Sequence, residues 1–364
     1  MNPRPGAAAP RDPEEVLLRA VDPRGGEVAA PEVTGEVVAL AREHRLSGLL
    51  ARTLDRGGLL AELPRELVAR LRGDLLDDRM GRARLDAAGA AALEALRDAG
   101  LSPVLLKGAA LGWLAYPEPY LRPMSDVDLL IPRDALDRAL GALEEAGFRL
   151  PPAGHREFWE EAWYDLPVGA PDGTDAAVEL HWSIAQEGRH FPDVPGMLSR
   201  ARELRYGPTV GLALAPVDLF LHQALHLGYH YFQPKGIWIM DLALLLAAGE
   251  ADPGELLGRA RAFGMRAILL LAVLHVERCF PGLAPPALLA PARRSPRLAL
   301  LRRLFPPRRP AEVIGGWDSR RRQRLLAPLL VDRPTTAVRA IVAWARRTRR
   351  HGDLAGHRRL DEFH

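Results

Sequence analysis

The stretch LRPMSDVDLLI occupies residues 121–131 and is the most informative part of the chain. From Asp126 onward, acidic and apolar side chains alternate and then give way to an apolar run, which is typical of a buried strand with one solvent-facing end. Side chains alternate between the two faces of a strand, so Asp126 and Asp128 lie on one face, about 6.5–7 Å apart, and Val127 and Leu129 on the other. The stretch predicts a strand that carries two carboxylates to one site.

Two carboxylates that face one site repel each other, and this repulsion raises the pKa of at least one of them unless a cation lies nearby. Mg²⁺ prefers oxygen ligands of this kind. The pattern therefore predicts a Mg²⁺ site at Asp126 and Asp128. A solvated edge strand is the alternative, but it predicts polar neighbours at positions where the sequence has Val127, Leu129 and Ile131.

Upstream of this strand, residues 103–107 predict a short strand that ends at Lys107, and residues 109–116 predict a helix. Lys107 and Gly108 thus precede a helix N-terminus, where free backbone amides and an ammonium group can bind a phosphate. The chain has two lysines, Lys107 and Lys235, among its 49 basic residues. Because arginine fills nearly every other cationic position, the two lysines can mark places where a compact ammonium is required.

Downstream, VELHW at residues 178–182 places Glu179 and His181 on one strand face. A turn signal at 171–173 predicts a hairpin with strands at 162–168 and 176–182. Glu179 is either a third carboxylate of the site or an exposed hairpin residue. His181 either contacts phosphate or substrate or is a hydrogen-bonded structural histidine.

The periodicity along the chain predicts an α/β (α+β) fold in which a small mixed sheet is flanked by helical regions. Helices are expected at 33–53, 63–76 and 84–99, and again at 217–232, 237–248, 253–263 and 265–280. The predicted organisation is a disordered tail (1–15), a helical N-terminal region (16–99), an α/β core (100–205), a helical C-terminal domain (206–290) and an Arg-rich helical tail (291–364).

Composition narrows the class of protein. The 364 residues are 48% hydrophobic and 26% charged, with a mean hydropathy of -0.09, which excludes a collagen-like, wholly disordered or membrane-bundle protein. The longest apolar run, residues 267–274, is far shorter than the ~20 residues that span a bilayer. The single cysteine, Cys279, allows no internal disulfide. These features predict a cytoplasmic protein with no membrane span.

The net charge of +3 is unevenly distributed, because residues 291–364 hold 19 arginines against 6 acidic residues. Such a tail can bind the phosphates of nucleic acid or an acidic lipid surface. The alternative is that these arginines form the solvated face of helices whose apolar residues pack inward. Possible nucleic-acid binding through this tail is therefore one of two open interpretations.

Four short segments carry a further pattern: LLKGA at 105–109, Tyr-Pro at 116–117, the stretch at 121–131 and VELHW at 178–182. Together they resemble a family of uncharacterised bacterial nucleotidyltransferases in the DNA polymerase β superfamily. The resemblance continues at 221–226 and 238–242. It implies a polymerase-β-type nucleotidyltransferase core, two Mg²⁺ ions held by Asp126, Asp128 and Glu179, and transfer of a nucleoside monophosphate from an NTP.

The family pattern also suggests which residues bind the substrate. Lys107, Gly108, Arg122 and Ser125 flank the carboxylates and are expected to bind the triphosphate. The usual Gly-Gly or Gly-Ser of the superfamily is here Gly108-Ala109, and the spacing to Asp126 is longer. Phosphate binding requires amides and positive charge rather than a serine hydroxyl, so the expectation survives this departure.

Histidines recur at every fourth position in the first C-terminal helix, at His222, His226 and His230, and Lys235 and Asp241 follow. The interpretation is that this face lines the acceptor or base side of the cleft, with His226 and Asp241 hydrogen-bonded between helices. One alternative is a set of polar groups that merely satisfy each other. A zinc site is a further alternative, but it lacks enough ligands.

The sequence thus predicts a Mg²⁺-dependent nucleotidyltransferase that acts on a hydroxyl of a small molecule, peptide or protein. A second hypothesis is a nucleotide-sensing or partner-binding protein, such as a toxin or antitoxin component, with a degenerate site. A glycosyltransferase with an Asp-x-Asp metal site is a third, but it would need a larger nucleotide-sugar domain where residues 16–99 look helical.

Overall fold

The structure is a computed structural model that describes residues 12–171, 173, 177–186, 188–232, 235–307, 309, 327–332, 335, 336, 338 and 342. Its centre is a mixed six-stranded sheet of order β3-β4-β2-β1-β6-β5. The strands are β1 (Val104–Leu105), β2 (Asp126–Leu130), β3 (Asp165–Gly169), β4 (Ala177–His181), β5 (Arg202–Tyr206) and β6 (Thr209–Ala213). The expected combination of a small mixed sheet with flanking helices is confirmed.

The strand pairings explain why the sheet is mixed. β2 runs parallel to β4 and antiparallel to β1, whereas β1 runs parallel to β6. Two antiparallel hairpins, β3–β4 and β5–β6, form the outer parts of the sheet. The first hairpin was expected from the turn signal. The strands nevertheless begin later than predicted, at Asp165 and Ala177.

The second hairpin was not predicted, and the sheet therefore continues beyond residue 205, the expected end of the core. β6 pairs directly with β1 near the centre of the sheet. Its five residues, TVGLA, are few and show no regular alternation of polar and apolar side chains, so they do not stand out from the helical pattern that follows. A Cβ at Gly211 would lie 2.9 Å from the side chain of Leu105, so the close approach of these two strands requires glycine.

Helices make up most of the rest of the described chain. They are α1 (Pro13–Ala20), α2 (Gly35–Glu43), α3 (Ser47–Arg56), α4 (Arg65–Asp98), α5 (Lys107–Leu114), α6 (Leu136–Glu145), α7 (Ala153–Ala162), α8 (Val194–Ser199), α9 (Pro216–Tyr229), α10 (Gly236–Ala248), α11 (Pro253–Ala262), α12 (Arg266–Cys279), α13 (Pro286–Arg294) and α14 (Pro296–Leu304).

Several predicted helix boundaries in the N-terminal region were wrong. The helix expected at 33–53 is two helices, because Arg45 takes a left-handed φ of 56° between α2 and α3. The helices expected at 63–76 and 84–99 are the single 34-residue helix α4. The predicted disordered tail also extends too far, since α1 begins at Pro13 with Asp12 capping its first turn.

Two hydrophobic cores lie on opposite faces of the sheet. One lies between the sheet, the C-terminal half of α4 and α6, and contains Val127 and Leu129. The other joins α1–α3 to α9–α14 and reaches Leu130 on the opposite face of β2. The N-terminal and C-terminal helical regions thus share one core, although the division of the chain into domains stays a prediction. The face of β2 that carries Asp128 points towards this helical side.

Among the helices in the described ranges, none combines the length and apolar character needed to cross a bilayer. α13 and α14 lie at the start of the Arg-rich tail. The arginine pairs and triplets on which the nucleic-acid hypothesis rests, at 320–322, 346–347, 349–350 and 358–359, lie outside the described residues. Binding of nucleic acid by this tail stays a prediction.

Candidate active site

The parallel register of β2 and β4 brings the predicted acidic residues together. Asp126 is paired with Ala177, Asp128 with Glu179, and Leu130 with His181. Paired residues of neighbouring strands share a face, so both aspartates of β2 lie on the same face as Glu179 and His181. The site is therefore built from two strands whose paired residues are 51 positions apart in sequence, as Asp128 and Glu179 are, yet adjacent in the sheet.

Asp128 is the centre of this cluster and is almost completely buried, with 1% of its surface exposed. Its Oδ1 atom lies 2.5 Å from Lys107 Nζ and 2.7 Å from His181 Nε2. Glu179 Oε2 completes the group, 3.4 Å from His181 Nε2 and 3.9 Å from Lys107 Nζ. The cationic side chains of Lys107 and His181 thus lie against the carboxylates of Asp128 and Glu179, where the sheet borders the helices.

The charges of Lys107 and His181 control the ionisation of Asp128. Burial alone would raise the pKa of Asp128, but the two neighbouring donors outweigh it and hold the pKa well below its ordinary value. Burial disfavours the charged form of His181 too and would by itself lower its pKa. The hydrogen bonds of His181 to Asp128 and Glu179 outweigh burial and raise the pKa to about 10. His181 is therefore protonated at neutral pH and donates its Nε2 hydrogen to Asp128.

The other two carboxylates are not neutralised to the same extent. Burial raises the pKa of Asp126, and the negative charge of Asp128 raises it further. Burial also raises the pKa of Glu179, with a second contribution from Asp126. Three carboxylates thus face one ammonium and one imidazolium, and burial together with mutual repulsion raises the pKa values of the two carboxylates that Lys107 and His181 neutralise least.

The residues present fit a divalent cation with oxygen ligands. One ligand atom from each of Asp128, Glu179 and His181 can be chosen so that all three lie within 4.8 Å of one another. Asp126 lies at the partly exposed end of β2 on the same face. Because a protonated His181 cannot bind a metal through Nε2, the ligands that suit Mg²⁺ are the carboxylates, with His181 holding Asp128 in place.

Lys107 reaches the carboxylates from the first residue of α5. It has a φ of 41°, in the left-handed region that non-glycine residues rarely adopt. Gly108 follows, and a Cβ there would lie 3.0 Å from both Arg122 Nη1 and Met124 Cβ. Glycine at 108 therefore allows the segment before β2 to pack against the start of α5. Of the four residues predicted to bind the triphosphate, Lys107 carries its side chain to Asp128, and Ser125 carries its hydroxyl to Asp126.

Arg122 and Asp241, two residues predicted to bind substrate, are instead bound to each other. Arg122 Nε and Nη2 each lie 2.8 Å from one oxygen of the Asp241 carboxylate, and Tyr116 Oη donates to Asp241 Oδ1 at 2.7 Å. Asp241 is completely buried and Arg122 nearly so. The expected hydrogen bond of Asp241 between helices is thus made to the loop before β2, and it ties α10 to that loop.

Arg82 is a residue that the sequence analysis missed. Its guanidinium is 2% exposed and binds Asp86 through Nε. Its remaining nitrogens donate to the backbone carbonyls of Gly108, Ala109, Pro119 and Arg122 at 3.1–3.4 Å. One side chain of α4 therefore holds together the start of α5 and the loop before β2. No sequence signal distinguishes Arg82 from the other arginines of the chain.

Asp165 was missed as well. It is paired with His181 across β3 and β4, and burial raises its pKa to about 6. Within the described part of the chain, Asp165 Oδ1 and His181 Nδ1 are both buried without a hydrogen-bond partner. Counting outward from the predicted turn at 171–173 would have paired Asp165 with Glu179, two residues before its observed partner on the same face of β4.

The histidines of α9 follow the predicted stripe. His222 is buried, and its pKa is lowered to about 3 by burial and then by the charge of Lys107. Burial also lowers the pKa of His226 well below its ordinary value, with a smaller contribution from Lys107. Both imidazoles are therefore uncharged at neutral pH, and both lie close enough to Lys107 for its charge to lower their pKa values.

The remaining predicted residues lie at the edge of the site. Ser125 is exposed, and its Oγ lies 3.3 Å from Asp126 Oδ1. Lys235 is exposed just before α10, with its Nζ 5.4 Å from the centre of the Trp238 ring. Neither side chain touches Asp128 in the described contacts, so their roles in substrate binding stay predictions.

Comparison with known proteins adds one finding. A family model described as an uncharacterised nucleotidyltransferase matches residues 32–281, which is more than half of the chain. Neither the curated proteins nor the solved structures give a match. The matched range includes the whole sheet and every predicted site residue, and it supports a general role in nucleotidyl transfer with an NTP as substrate.

Proposed function

We propose that the chain, which belongs to this family of uncharacterised nucleotidyltransferases, is a Mg²⁺-dependent enzyme. It transfers a nucleoside monophosphate from an NTP to a hydroxyl of a small molecule, peptide or protein and releases pyrophosphate. The polymerase β superfamily is the proposed wider relationship. A cytoplasmic location is proposed on the composition of the chain alone.

The observation that carries this proposal is the pairing of β2 with β4, which places Asp126, Asp128 and Glu179 on one face. These three carboxylates are the proposed ligands of two Mg²⁺ ions. When bound, Mg²⁺ neutralises the phosphate oxygens and lowers the pKa of the attacking hydroxyl. The same carboxylates favour an enzyme over a nucleotide-sensing protein with a degenerate site, because a degenerate site has no need to keep all three.

The side chains around the carboxylates have distinct proposed tasks. Lys107 Nζ, which already lies between Asp128 and Glu179, provides a point charge for the triphosphate. His181 holds the orientation of Asp128 by donating from Nε2. Glu179, whose pKa is raised by burial and by Asp126, is the proposed acceptor of the proton of the attacking hydroxyl.

The proposed reaction is an in-line displacement at the α-phosphorus. The acceptor oxygen forms the new phosphoester bond, the bond to the bridging oxygen breaks, and pyrophosphate leaves with its electron pair. The hydroxyl proton passes to Glu179 Oε2. Catalysis then consists mainly of positioning and charge neutralisation, which is consistent with a site made of carboxylates, one ammonium and one imidazolium.

Calorimetric titration with each NTP, with and without Mg²⁺, tests this function. Wild-type protein is expected to bind an NTP only with Mg²⁺, and Asp126→Asn with Asp128→Asn is expected to abolish that binding. The matched control is Asp134→Asn with Asp137→Asn, which removes two exposed carboxylates and the same formal charge. Equal nucleotide affinity in the wild type and the Asp126/Asp128 variant would rule out the metal site.

A further inference from the structure

Three aromatic side chains form a compact group beside the proposed catalytic centre, and we call them the ring cluster: His226, His230 and Trp238. The imidazole of His226 meets the indole of Trp238 edge to face, with ring centres 4.8 Å apart. His230 lies 4.4 Å from the same indole at an interplanar angle of 35°. The two imidazoles are 4.7 Å apart, so each ring contacts both others.

We propose that the ring cluster binds the planar base of the nucleoside triphosphate by stacking. This inference rests on the function proposed above and identifies where the base part of the substrate lies. Indole and imidazole rings are suitable platforms because every nucleobase has a π-face, whatever its hydrogen-bonding pattern. Trp238 is half-buried and His230 is exposed, so the cluster offers ring surface to a ligand.

The first argument is position along α10. Trp238 and Asp241 are three residues apart in this helix and therefore lie on neighbouring parts of one face. Asp241 binds Arg122 through two hydrogen bonds of 2.8 Å, and Arg122 lies four residues before Asp126. The face of α10 that is fixed to the loop before the carboxylate strand thus carries Trp238, one of the three rings of the cluster.

The second argument is direction along α9. His222, the first histidine of the stripe, is buried and senses the charges of Lys107, His181 and Asp128. His230 is exposed at the end of the helix, eight residues further, which is about 12 Å at 1.5 Å per residue. The stripe therefore leads from the carboxylates to solvent over a distance comparable with that between the phosphates and the base of a nucleotide.

The third argument is charge. Burial and the neighbouring His230 keep His226 uncharged, so this part of the stripe does not attract phosphate. Lys235 lies 5.4 Å from the indole centre and brings a cation to the ring rather than to the carboxylates. The uncharged rings of His226 and Trp238 suit a base better than a phosphate group.

The position of His230 is fixed by the turn that follows α9. Tyr231 and Phe232 both have left-handed φ values, 54° and 55°, which non-glycine residues adopt only when their surroundings enforce it. Phe232 is buried and stacks on His275 with ring centres 5.1 Å apart. The burial of Phe232 thus holds the turn and keeps His230 against Trp238.

Titration calorimetry in the presence of Mg²⁺ tests the proposal with two kinds of probe: the four common NTPs and inorganic tripolyphosphate. Trp238→Leu is expected to weaken binding of the preferred NTP about tenfold or more, as loss of a stacking partner does. Affinity for tripolyphosphate is expected to change less than twofold. The matched control, Trp113→Leu, removes an indole that packs on Tyr206 and should change neither affinity.

Two results for Trp238→Leu would overturn the base site. Unchanged NTP affinity would show that the base binds elsewhere or that the ring cluster serves the acceptor. Equal weakening of NTP and tripolyphosphate binding would show that Trp238 only supports the fold of the site. If Trp238→Leu does not fold, His230→Ala gives the same test at an exposed ring, with a smaller selective loss expected and the same two overturning results.

Failure of this inference can be distinguished from failure of the proposed function. Mg²⁺-dependent NTP binding that is lost in Asp128→Asn but unaffected by Trp238→Leu would overturn the base site alone. Binding of neither NTP nor tripolyphosphate by the wild-type protein would overturn both. Selective loss of NTP binding in Trp238→Leu would support both, because only a ligand with a base distinguishes the two probes.

Discussion

Two buried charge clusters lie close together in this protein and differ in how far their charges are balanced. In the first, Arg122 meets the single carboxylate of Asp241, and Tyr116 donates one further hydrogen bond. In the second, Lys107 and His181 face three carboxylates. We call them the closed pair (Arg122, Asp241) and the open cluster (Lys107, His181 and the carboxylates Asp126, Asp128 and Glu179).

The difference indicates that the closed pair stabilises the fold, whereas the open cluster is suited to bind ligands. Both oxygens of Asp241 accept hydrogen bonds from Arg122, so the closed pair has no need of a ligand. In the open cluster three carboxylates face two cationic groups, and burial together with repulsion between the carboxylates raises the pKa values of Asp126 and Glu179. Charge that the chain does not neutralise itself is available for a cation and a phosphate, and this is the reason to place the chemistry at the open cluster.

The largest expected effect concerns the stability contributed by the closed pair. Arg122→Met leaves the carboxylate of Asp241 buried without its partner and is expected to cost about 3–5 kcal/mol in the free energy of unfolding. Urea unfolding measures this change. Arg122→Met with Asp241→Leu removes both charges and should recover most of the loss.

The same double variant shows whether Arg122 also binds substrate. If its NTP affinity matches that of the wild type, Arg122 acts only through the fold, as the closed pair suggests. A stable double variant with strongly weakened NTP binding would instead restore Arg122 as a phosphate ligand. A loss below about 1 kcal/mol in the single variant would contradict the assignment of Arg122 and Asp241 as a buried structural pair.

The next effect concerns the centre of the open cluster. Asp128→Asn removes a proposed metal ligand and is expected to reduce the rate of pyrophosphate release more than about 100-fold, since metal binding provides several kcal/mol of charge stabilisation. At a Mg²⁺-NTP concentration of 100 times Kd, the wild type should gain about 2.7 kcal/mol in stability, and the variant none. Ligand-induced stabilisation of Asp128→Asn equal to that of the wild type would contradict the prediction.

A smaller effect is expected at Lys107, where shape and charge can be separated. Lys107→Arg keeps the charge but introduces a planar group where Nζ now fits 2.5 Å from Asp128, and Lys107→Met keeps the length without the charge. Both variants are expected to weaken tripolyphosphate binding about tenfold, because one charge-assisted hydrogen bond contributes about 1.5–3 kcal/mol. Calorimetry measures this change. Wild-type affinity in Lys107→Arg would show that the rarity of lysine in this chain has no functional meaning.

A last test uses pH and needs no ligand. The pKa of His181 is about 10 in the folded protein and 6.5 ordinarily, so its contribution to stability is complete below pH 6.5 and is lost as the pH rises towards 10. Urea unfolding in EDTA should therefore show that wild-type stability falls over this window. His181→Gln should reduce that fall, and an identical pH dependence in the two proteins would contradict the assigned protonation of His181.

The open cluster shows how far local pattern reaches. Alternation within β2 and β4 correctly placed both aspartates on one face and Glu179 with His181 on one face. Alternation within each strand could not show that the two strands are adjacent, because their pairing joins residues 51 positions apart in sequence. The resemblance to known nucleotidyltransferases, rather than the periodicity, joined Glu179 to the aspartates.

Arg122 and Asp241 show the opposite limit. Both were predicted from motif context to bind substrate, yet the structure pairs them with each other across 119 residues. A motif reports which residue types occur together, and it does not report which of them satisfy one another. Arg82 illustrates the same point, since a buried arginine that donates to four backbone carbonyls looks no different in sequence from a solvated one.

Local sequence established the strand with two carboxylates, the helical flanks and the histidine stripe, because side-chain alternation and helical periodicity are short-range properties of the backbone. Tertiary structure decided which charges are balanced and which are not. That balance depends on distances of 2.5–3.9 Å between atoms brought together by β2, β4 and the start of α5. Electrostatic energy changes steeply over such distances in a buried site, and only the folded chain fixes them.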